Sequence, residues 1–348
     1  DEMKLVLKTS EVFPSVCSAL LFALLFLTAG CGYQLEDQSD EVEIPSWCKH
    51  DAYPGELLSM SGVGEMITPS GAFRYHHVDA GGWNIVPIDL NLSGSSAPRR
   101  QVVFFDGGPR NSPLSKQRLR SLERTYDDQN TNIVVIAHSG TDLPNLDGTK
   151  RLKTHGLSAT FCDALLADIF LRENGYLEAP DVVVHGHSLG SLLALQLATK
   201  LEGDVKFKLV LQGPWLVPET VDEIINSDKP KFYQSPTGIV VIDRQEHRDE
   251  LESLYRDIFK LSLNLDGTGA GDEVLSQLRE DSCRKVFSPV IFLIGEFEDM
   301  ADIHGTEDFA SCFGGLSSVE ISAKAPHGSE LAVQSTRDAL SFFLQAGD

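Results

Sequence analysis

The sequence has little positive charge. Its 348 residues include 29 Lys and Arg against 51 Asp and Glu, giving a formal net charge of −22. A surface this acidic repels the phosphates of nucleic acids and the head groups of anionic lipids, so a nucleic-acid-binding function is excluded. Internal repeats and low-complexity tracts are also absent. With 42% hydrophobic and 23% charged residues, the composition is that of a globular chain with one large core, or a core and an insertion.

Cysteine is scarce, and no Cys-x-x-Cys pair occurs. Apart from Cys17 and Cys31 near the start, the chain has Cys48, Cys162, Cys283 and Cys312. The lack of closely spaced pairs argues against a zinc site, and no metal or organic cofactor is expected. An even number of cysteines is compatible with two disulfides if the protein is exported, and four cysteines allow three pairings.

No apolar run is long enough to span a bilayer comfortably, which takes roughly 20 residues. The uncharged run at residues 16–30 follows Lys4 and Lys8 and is typical of a signal peptide. The segment Leu27-Thr-Ala-Gly-Cys31 resembles the bacterial lipobox, which implies that Cys31 is lipidated and becomes the mature N-terminus. Two alternatives to lipidation stay open: an ordinary signal peptide that is cleaved, and an uncleaved N-terminal membrane anchor.

The expected organisation is a signal peptide over residues 1–30 and a lipidated cysteine with a polar linker over 31–45. This predicts an exported, lipid-anchored protein of the bacterial cell envelope on the periplasmic side of a membrane. The membrane is then a partner through the lipid alone, and the oligomeric state is left open.

Strand and helix patterns alternate along the rest of the chain. Two segments near residue 80 predict antiparallel strands joined by Gly81-Gly82: Phe73–Val78 and Trp83–Leu92. Continuous apolar runs predict buried parallel strands: Gln101–Phe105, Asn132–Ala137, Asp181–His185, Lys206–Leu211, Pro289–Ile294 and a last strand, Ser318–Ser322. Helical periodicity fills the gaps between them, and a final helix is expected from about Glu330 to Gln345. These patterns predict an α/β fold with a mostly parallel, doubly wound sheet.

Residues 214–287 interrupt this alternation. They contain amphipathic segments such as Arg248–Leu261 and a glycine-rich turn. We therefore expect a mainly helical cap inserted into a core formed by residues 46–213 and 288–348.

The pentapeptide Gly186-His-Ser-Leu-Gly190 lies between a predicted strand and a predicted helix. In a G-x-S-x-G turn of this kind the serine is exposed on a strained bend, so Ser188 is the expected nucleophile. The N–H of the next residue, Leu189, then points into an oxyanion site. A second donor is expected from Gly108, because Asp106-Gly107-Gly108 ends an early strand and lets the backbone turn towards a substrate carbonyl.

A serine nucleophile needs a base and an acid. His327 follows the last predicted strand and precedes the last helix, where a short loop can bring its imidazole over the serine. The orienting acid is expected just after Pro289–Ile294. Asp299 is favoured over the alternative Glu298, with Asp302 third. The pairing Cys283 with Cys312 is favoured for the disulfides because it would restrain the loop that carries this acid.

The motif order Gly-Gly-Pro, serine, acid and histidine resembles the α/β-hydrolase superfamily across residues 70–348. Phe104-Phe-Asp-Gly-Gly-Pro-Arg110 and Trp83-Asn-Ile-Val-Pro-Ile-Asp89 resemble the S33 peptidases, the proline iminopeptidase and tripeptidyl aminopeptidase group. Asp106 stands where that group has histidine.

The resemblance implies an exported serine hydrolase that cleaves an ester or amide bond of a small-molecule or peptide substrate, as an aminopeptidase of the S33 type. The alternatives are a carboxylesterase, lipase or thioesterase acting on small acyl substrates, and a non-catalytic lipoprotein that binds a ligand.

Overall fold

The computed structural model describes residues 44–68, 71–90, 98–108, 116–126, 130–143, 146–217, 231–235, 238–242, 270–298 and 301–346. The predicted signal peptide, Cys31 and nearly all of the predicted linker lie outside these residues.

One sheet of nine strands dominates the described part of the chain, in the order β1-β2-β3-β5-β4-β8-β9-β12-β13. Its strands are β1 Leu58–Thr68, β2 Gly71–Ala80, β3 Trp83–Leu90, β4 Arg100–Phe105, β5 Thr131–Ala137, β8 Asp181–His187, β9 Phe207–Gln212, β12 Val290–Phe297 and β13 Ser317–Pro326. The short strands β6 Asp142–Leu143 and β7 Leu146–Asp147 pair in a separate two-stranded sheet. The first three strands pair antiparallel, and β3 is antiparallel to β5. From β5 to β13 every neighbouring pair is parallel.

Eight α-helices connect and cover the strands within the described residues: α1 Ser46–Lys49, α2 Lys116–Thr125, α3 Gly148–His155, α4 Ser158–Glu173, α5 Gly190–Leu201, α6 Ala270–Lys285, α7 Ile303–Ser311 and α8 Gln334–Gln345. None of the helices in this part of the chain is both long enough and apolar enough to cross a lipid bilayer.

The central strands β4, β5, β8, β9 and β12 are buried on both faces of the sheet, which explains their continuous apolar runs. Val103 and Phe105 of β4 belong to a core shared with α4, α5, α6 and α7. Val102 and Phe104 belong to a second core on the other face, which contains side chains of α2 and α8. Alternate residues of one strand therefore pack against different helical layers.

The predicted strands are confirmed, with ends that differ by a few residues. Gly81 and Gly82 both have positive φ, 65° and 91°, as a two-residue hairpin turn between β2 and β3 requires. Strand β1 was not predicted, because its serines and glycines hide any alternation. A side chain at Gly64 would lie 2.4 Å from the ring of Tyr75, so this glycine makes room for an aromatic side chain on the neighbouring strand.

The predicted cap contains more than helix in its described part. Lys231–Ser235 and Gly238–Ile242 pair as an antiparallel hairpin, β10 and β11. Leu275 and Leu278 of α6 are buried in the same core as the sheet. Helix α6 thus packs in the same core as the sheet, and the bounds of the cap, residues 214–287, stay a prediction. Residues 218–230 and 243–269 of the predicted cap lie outside the described residues.

Two disulfides connect the four cysteines in the described part of the chain. Cys283 is bonded to Cys312, which confirms the favoured pairing, and Cys48 is bonded to Cys162. The first bond links the end of α6 to the end of α7. The second attaches the short helix α1 to α4 across a sequence separation of 114 residues.

We expect the longer disulfide loop to contribute more to stability, because a crosslink removes more chain entropy from the unfolded state when it closes a longer loop. The loop lengths of 114 and 29 residues predict a difference of about 1 kcal/mol in the free energy of unfolding. Urea unfolding of Cys48→Ala/Cys162→Ala and of Cys283→Ala/Cys312→Ala measures it. A smaller loss for the first variant than for the second would contradict this expectation.

Candidate active site

Ser188 lies on a tight bend between β8 and α5. Its φ of 52° is in the left-handed region, which a residue with a side chain seldom adopts. The flanking glycines make the bend possible. A Cβ at Gly186 would lie 2.5 Å from the carbonyl oxygen of Gly190, and a Cβ at Gly190 would lie 2.2 Å from the carbonyl oxygen of Phe105. The G-x-S-x-G spacing is therefore required by backbone packing on both sides of the serine.

Hydrogen bonds hold this bend in place. The Ser188 N–H donates to the carbonyl of Gln212 at the end of β9, at 2.9 Å. The Ser191 N–H donates to the Ser188 carbonyl at 2.9 Å, and the Ser191 hydroxyl donates to the Gly186 carbonyl at 3.1 Å. Because both sides of the bend are tied to the sheet and the helix, the strained conformation of Ser188 is maintained.

His327 reaches the serine from the loop after β13. Its Nε2 lies 2.9 Å from the Ser188 Oγ, although the two residues are 139 positions apart in the chain. The imidazole is partly buried, with 16% of its side chain exposed. The predicted nucleophile and base are thus at hydrogen-bonding distance.

The carboxylate beside His327 is Glu298, the alternative acid of the sequence-based prediction. Its two oxygens lie 2.8 and 2.9 Å from the Nδ1 of His327, and its side chain is fully buried. Because a carboxylate only accepts, Nδ1 carries the proton in the neutral ring, and Nε2 is free to accept from the Ser188 hydroxyl.

Asp299, the acid favoured from the sequence, lies outside the described residues, so its position stays a prediction. Asp302 caps α7 by accepting from the N–H of His304.

A turn at the end of β12 brings Glu298 inward: its N–H donates to the Gly295 carbonyl at 3.0 Å. Gly295 is needed there because a Cβ would lie 2.3 Å from the Ala325 carbonyl oxygen.

The predicted oxyanion residues also lie at the bend. A Cβ on Gly107 would be 2.7 Å from the Cβ of Ser188, and one on Gly108 would be 3.1 Å from the side chain of Leu189. Leu189 directly precedes α5, whose first N–H groups have no acceptor within the helix. This arrangement places two backbone segments with N–H donors beside the serine hydroxyl.

A buried His–Asp pair, which the sequence did not predict, lies against these segments. His187 Nδ1 is 3.0 Å from Asp106 Oδ1, and each side chain is 1% exposed. The same Asp106 oxygen accepts the Gly107 N–H at 2.8 Å. Asp106 therefore ties the glycine loop, residues 106–108, to the elbow, the bend at residues 186–190. The clue in the sequence is that an aspartate follows β4 while a histidine precedes the nucleophile.

Glu330 is a second buried carboxylate of the site that sequence reasoning missed. One oxygen accepts the Gln212 side-chain amide at 2.8 Å, and the other accepts the Gly328 N–H at 3.0 Å. Burial raises the pKa of Glu330, the charge of Glu298 raises it further, and His327 lowers it. The residue was placed at the start of the last predicted helix, and nothing in that pattern marks it as functional.

Glu298, His327 and Glu330 are also spaced as metal ligands could be, with their ligand atoms within 4.8 Å of one another. In this site, however, the Nδ1 of His327 and a carboxylate oxygen of Glu298 are hydrogen-bonded to each other at 2.8 Å. A bound ion would have to replace that hydrogen bond, so the donor set fits proton transfer better than metal binding.

The sequence matches no protein-family model and no curated protein. Solved structures with a similar backbone exist. Est1E from Butyrivibrio proteoclasticus with ferulic acid bound superposes with a TM-score of 0.50 at 13% identity, covering 77% of this chain and 97% of that one. Acetyl xylan esterase 1 from Thermoanaerobacterium sp. gives a TM-score of 0.50 at 15% identity, covering 86% of this chain and 90% of that one.

At this level of identity the likeness concerns the fold. It agrees with the sheet order, the parallel strands covered on both faces, and the serine bend between β8 and α5. The chain has the α/β-hydrolase fold.

Proposed function

We propose that this protein is a serine hydrolase with a Ser188–His327–Glu298 triad. One observation carries the proposal: a continuous hydrogen-bond chain runs from the Ser188 hydroxyl to the His327 ring at 2.9 Å and from the ring to Glu298 at 2.8 Å. The buried Glu298 holds the ring in the tautomer that accepts the serine proton.

The reaction follows from this geometry. Ser188 Oγ attacks the substrate carbonyl while His327 Nε2 takes its proton, and the imidazolium is stabilised by Glu298. His327 then returns the proton to the leaving alcohol or amine, leaving an acyl-serine. His327 Nε2 then takes a proton from a water molecule as that water attacks the acyl-serine carbonyl. It returns the proton to the Ser188 oxygen, the acyl–serine bond breaks, and the acid leaves.

The Gly108 and Leu189 N–H groups are proposed to stabilise the oxyanion of each tetrahedral intermediate. Donors fixed in place before the reaction contribute most to such stabilisation. Asp106 and His187 support this arrangement, since their bond joins the glycine loop to the elbow.

An ester or an amide of small size is the proposed substrate class, and an aminopeptidase activity of the S33 type is included in it. One of the two structural neighbours is named an acetyl xylan esterase, and the other is Est1E with ferulic acid bound. These names make esters the first series to test. Aminoacyl nitroanilides test the peptidase alternative.

Export and lipidation at Cys31 are also proposed. The two disulfides support export because disulfides form and persist in oxidising compartments. Membrane fractionation of the full chain and of Cys31→Ala tests the lipid anchor. If the lipid on Cys31 holds the protein at the membrane, we expect the variant in the soluble fraction.

A fluorophosphonate probe is expected to label the protein at Ser188, because the activated hydroxyl attacks phosphorus as it would a carbonyl. Ser188→Ala should abolish labelling and the turnover of p-nitrophenyl esters or aminoacyl nitroanilides. Ser341→Ala is the matched control, because it removes an exposed serine hydroxyl on α8. An unlabelled wild-type protein that turns over neither series would favour the ligand-binding alternative.

Glu298→Gln is expected to lower kcat by about 10³–10⁴-fold, because the amide no longer fixes the tautomer or stabilises the imidazolium. Asp299→Asn is the adjacent control and should keep kcat within about threefold of wild type, as for a change outside the triad. Steady-state kinetics on the ester that the wild-type protein hydrolyses fastest identify which residue is the acid of the triad. The opposite order of losses would restore Asp299 to this role.

Asp106→Asn is expected to lower kcat by about tenfold with little change in KM, because a misplaced oxyanion donor weakens transition-state binding selectively. Asp89→Asn provides the control, since Asp89 forms a His–Asp pair of the same length, 3.0 Å, with His76 on strands remote from the elbow. Equal losses in the two variants would indicate a general effect on folding.

A further inference from the structure

Glu330 has no place in the triad mechanism, yet it lies fully buried beside the triad. One carboxylate oxygen of Glu330, one of Glu298 and one ring nitrogen of His327 lie within 4.8 Å of one another. Two carboxylates therefore flank a single imidazole.

Gly213 brings Glu330 and His327 together. This residue follows β9 and has a φ of 49°. A Cβ at this position would lie 3.0 Å from Glu330 Oε1 and 3.3 Å from both Nδ1 and Cε1 of His327. The imidazole and the second carboxylate thus rest against the same glycine, which leaves no room for a side chain between them.

The hydrogen bonds of Glu330 connect the base to the nucleophile. It accepts the N–H of Gly328, the residue next to His327, and the side-chain amide of Gln212. The backbone carbonyl of Gln212 in turn accepts the Ser188 N–H. A neutral glutamine at position 330 could accept the same two donors in part, so the hydrogen bonds alone do not account for a buried acid.

A buried acid is unfavourable unless its charge has a counterpart. Desolvation and the neighbouring Glu298 raise the pKa of Glu330 and so disfavour its ionised form. His327 and the hydrogen bonds of Glu330 lower this pKa and so favour the ionised form. The charge of Glu330 is therefore matched best when His327 is an imidazolium, which is the state that forms as Ser188 attacks.

We propose that Glu330 is a second acid of the site, a positioning residue whose negative charge stabilises the imidazolium form of His327. The proposal rests on the proposed hydrolase function. Titratable groups that face the imidazole from other elements include Glu298 after β12 and the His187–Asp106 pair at the elbow; the His187 ring lies 5.8 Å from that of His327. Arg337 of α8 contacts the Leu331 carbonyl in the turn that contains Glu330.

The test is the pH dependence of fluorophosphonate labelling, measured on the full chain. Labelling requires His327 in its neutral form, and the measurement needs no knowledge of the natural substrate. Removing a nearby negative charge favours the neutral ring. Glu330→Gln should therefore move the acid limb of the labelling rate to lower pH by about one unit, and its plateau rate should fall. Glu330→Asp keeps the charge and should keep the limb close to that of wild type.

Glu280→Gln on α6 is the matched control, since it removes one exposed carboxylate and should leave the limb unchanged. A Glu330→Gln profile with a lower plateau and an unmoved limb would overturn the proposal, because a purely structural role has that signature. If this variant is insoluble, Glu330→Asn gives the same comparison. Failure of the wild-type chain to be labelled at any pH would count against the hydrolase function itself, so the two failures are distinguishable.

Discussion

The left-handed backbone of Ser188 is the constraint on which the rest of the site depends. It is possible only because Gly186 and Gly190 carry no side chains against the adjoining helix and strand, and because Gln212 accepts the serine N–H. These contacts fix where the hydroxyl points and place the first turn of α5 beside it. Every other group of the site is then useful only if it can reach this one position.

Five neighbouring parallel strands meet that requirement. Asp106 follows β4, Ser188 follows β8, Gly213 follows β9, Glu298 ends the turn after β12, and His327 follows β13, and these strands are adjacent in the sheet in that order. The carboxyl ends of parallel strands lie along one edge, so residues far apart in sequence converge there. The sheet order thus explains how a base 139 residues from the nucleophile comes within 2.9 Å of it.

The sequence was sufficient to predict features that depend on a local pattern, such as apolar runs, glycine spacing and a loop between a strand and a helix. These features are the buried parallel strands, the elbow, the base and one disulfide.

The sequence could not decide which carboxylate is the acid. Alternation along β12 puts Glu296 and Glu298 on one side, yet Glu296 is exposed and bonds to the Lys324 N–H, while Glu298 is buried. The turn to Gly295 breaks the alternation, and no residue type marks that turn. Asp106, His187 and Glu330 were missed since their partners are distant in the chain.

The three missed residues and Glu298 share a physical feature, because each is a titratable side chain removed from water. Asp106, His187, Glu298 and Glu330 are all at most 1% exposed, and an unpaired charge in such surroundings would strongly destabilise the fold. Their mutual bonds reduce that penalty, and the large apolar cores on both faces of the sheet supply stability to offset what remains. Selection for folding alone would favour neutral side chains at these positions. Four buried ionisable groups around one serine are better explained by a reaction in which charge moves between oxygen and imidazole.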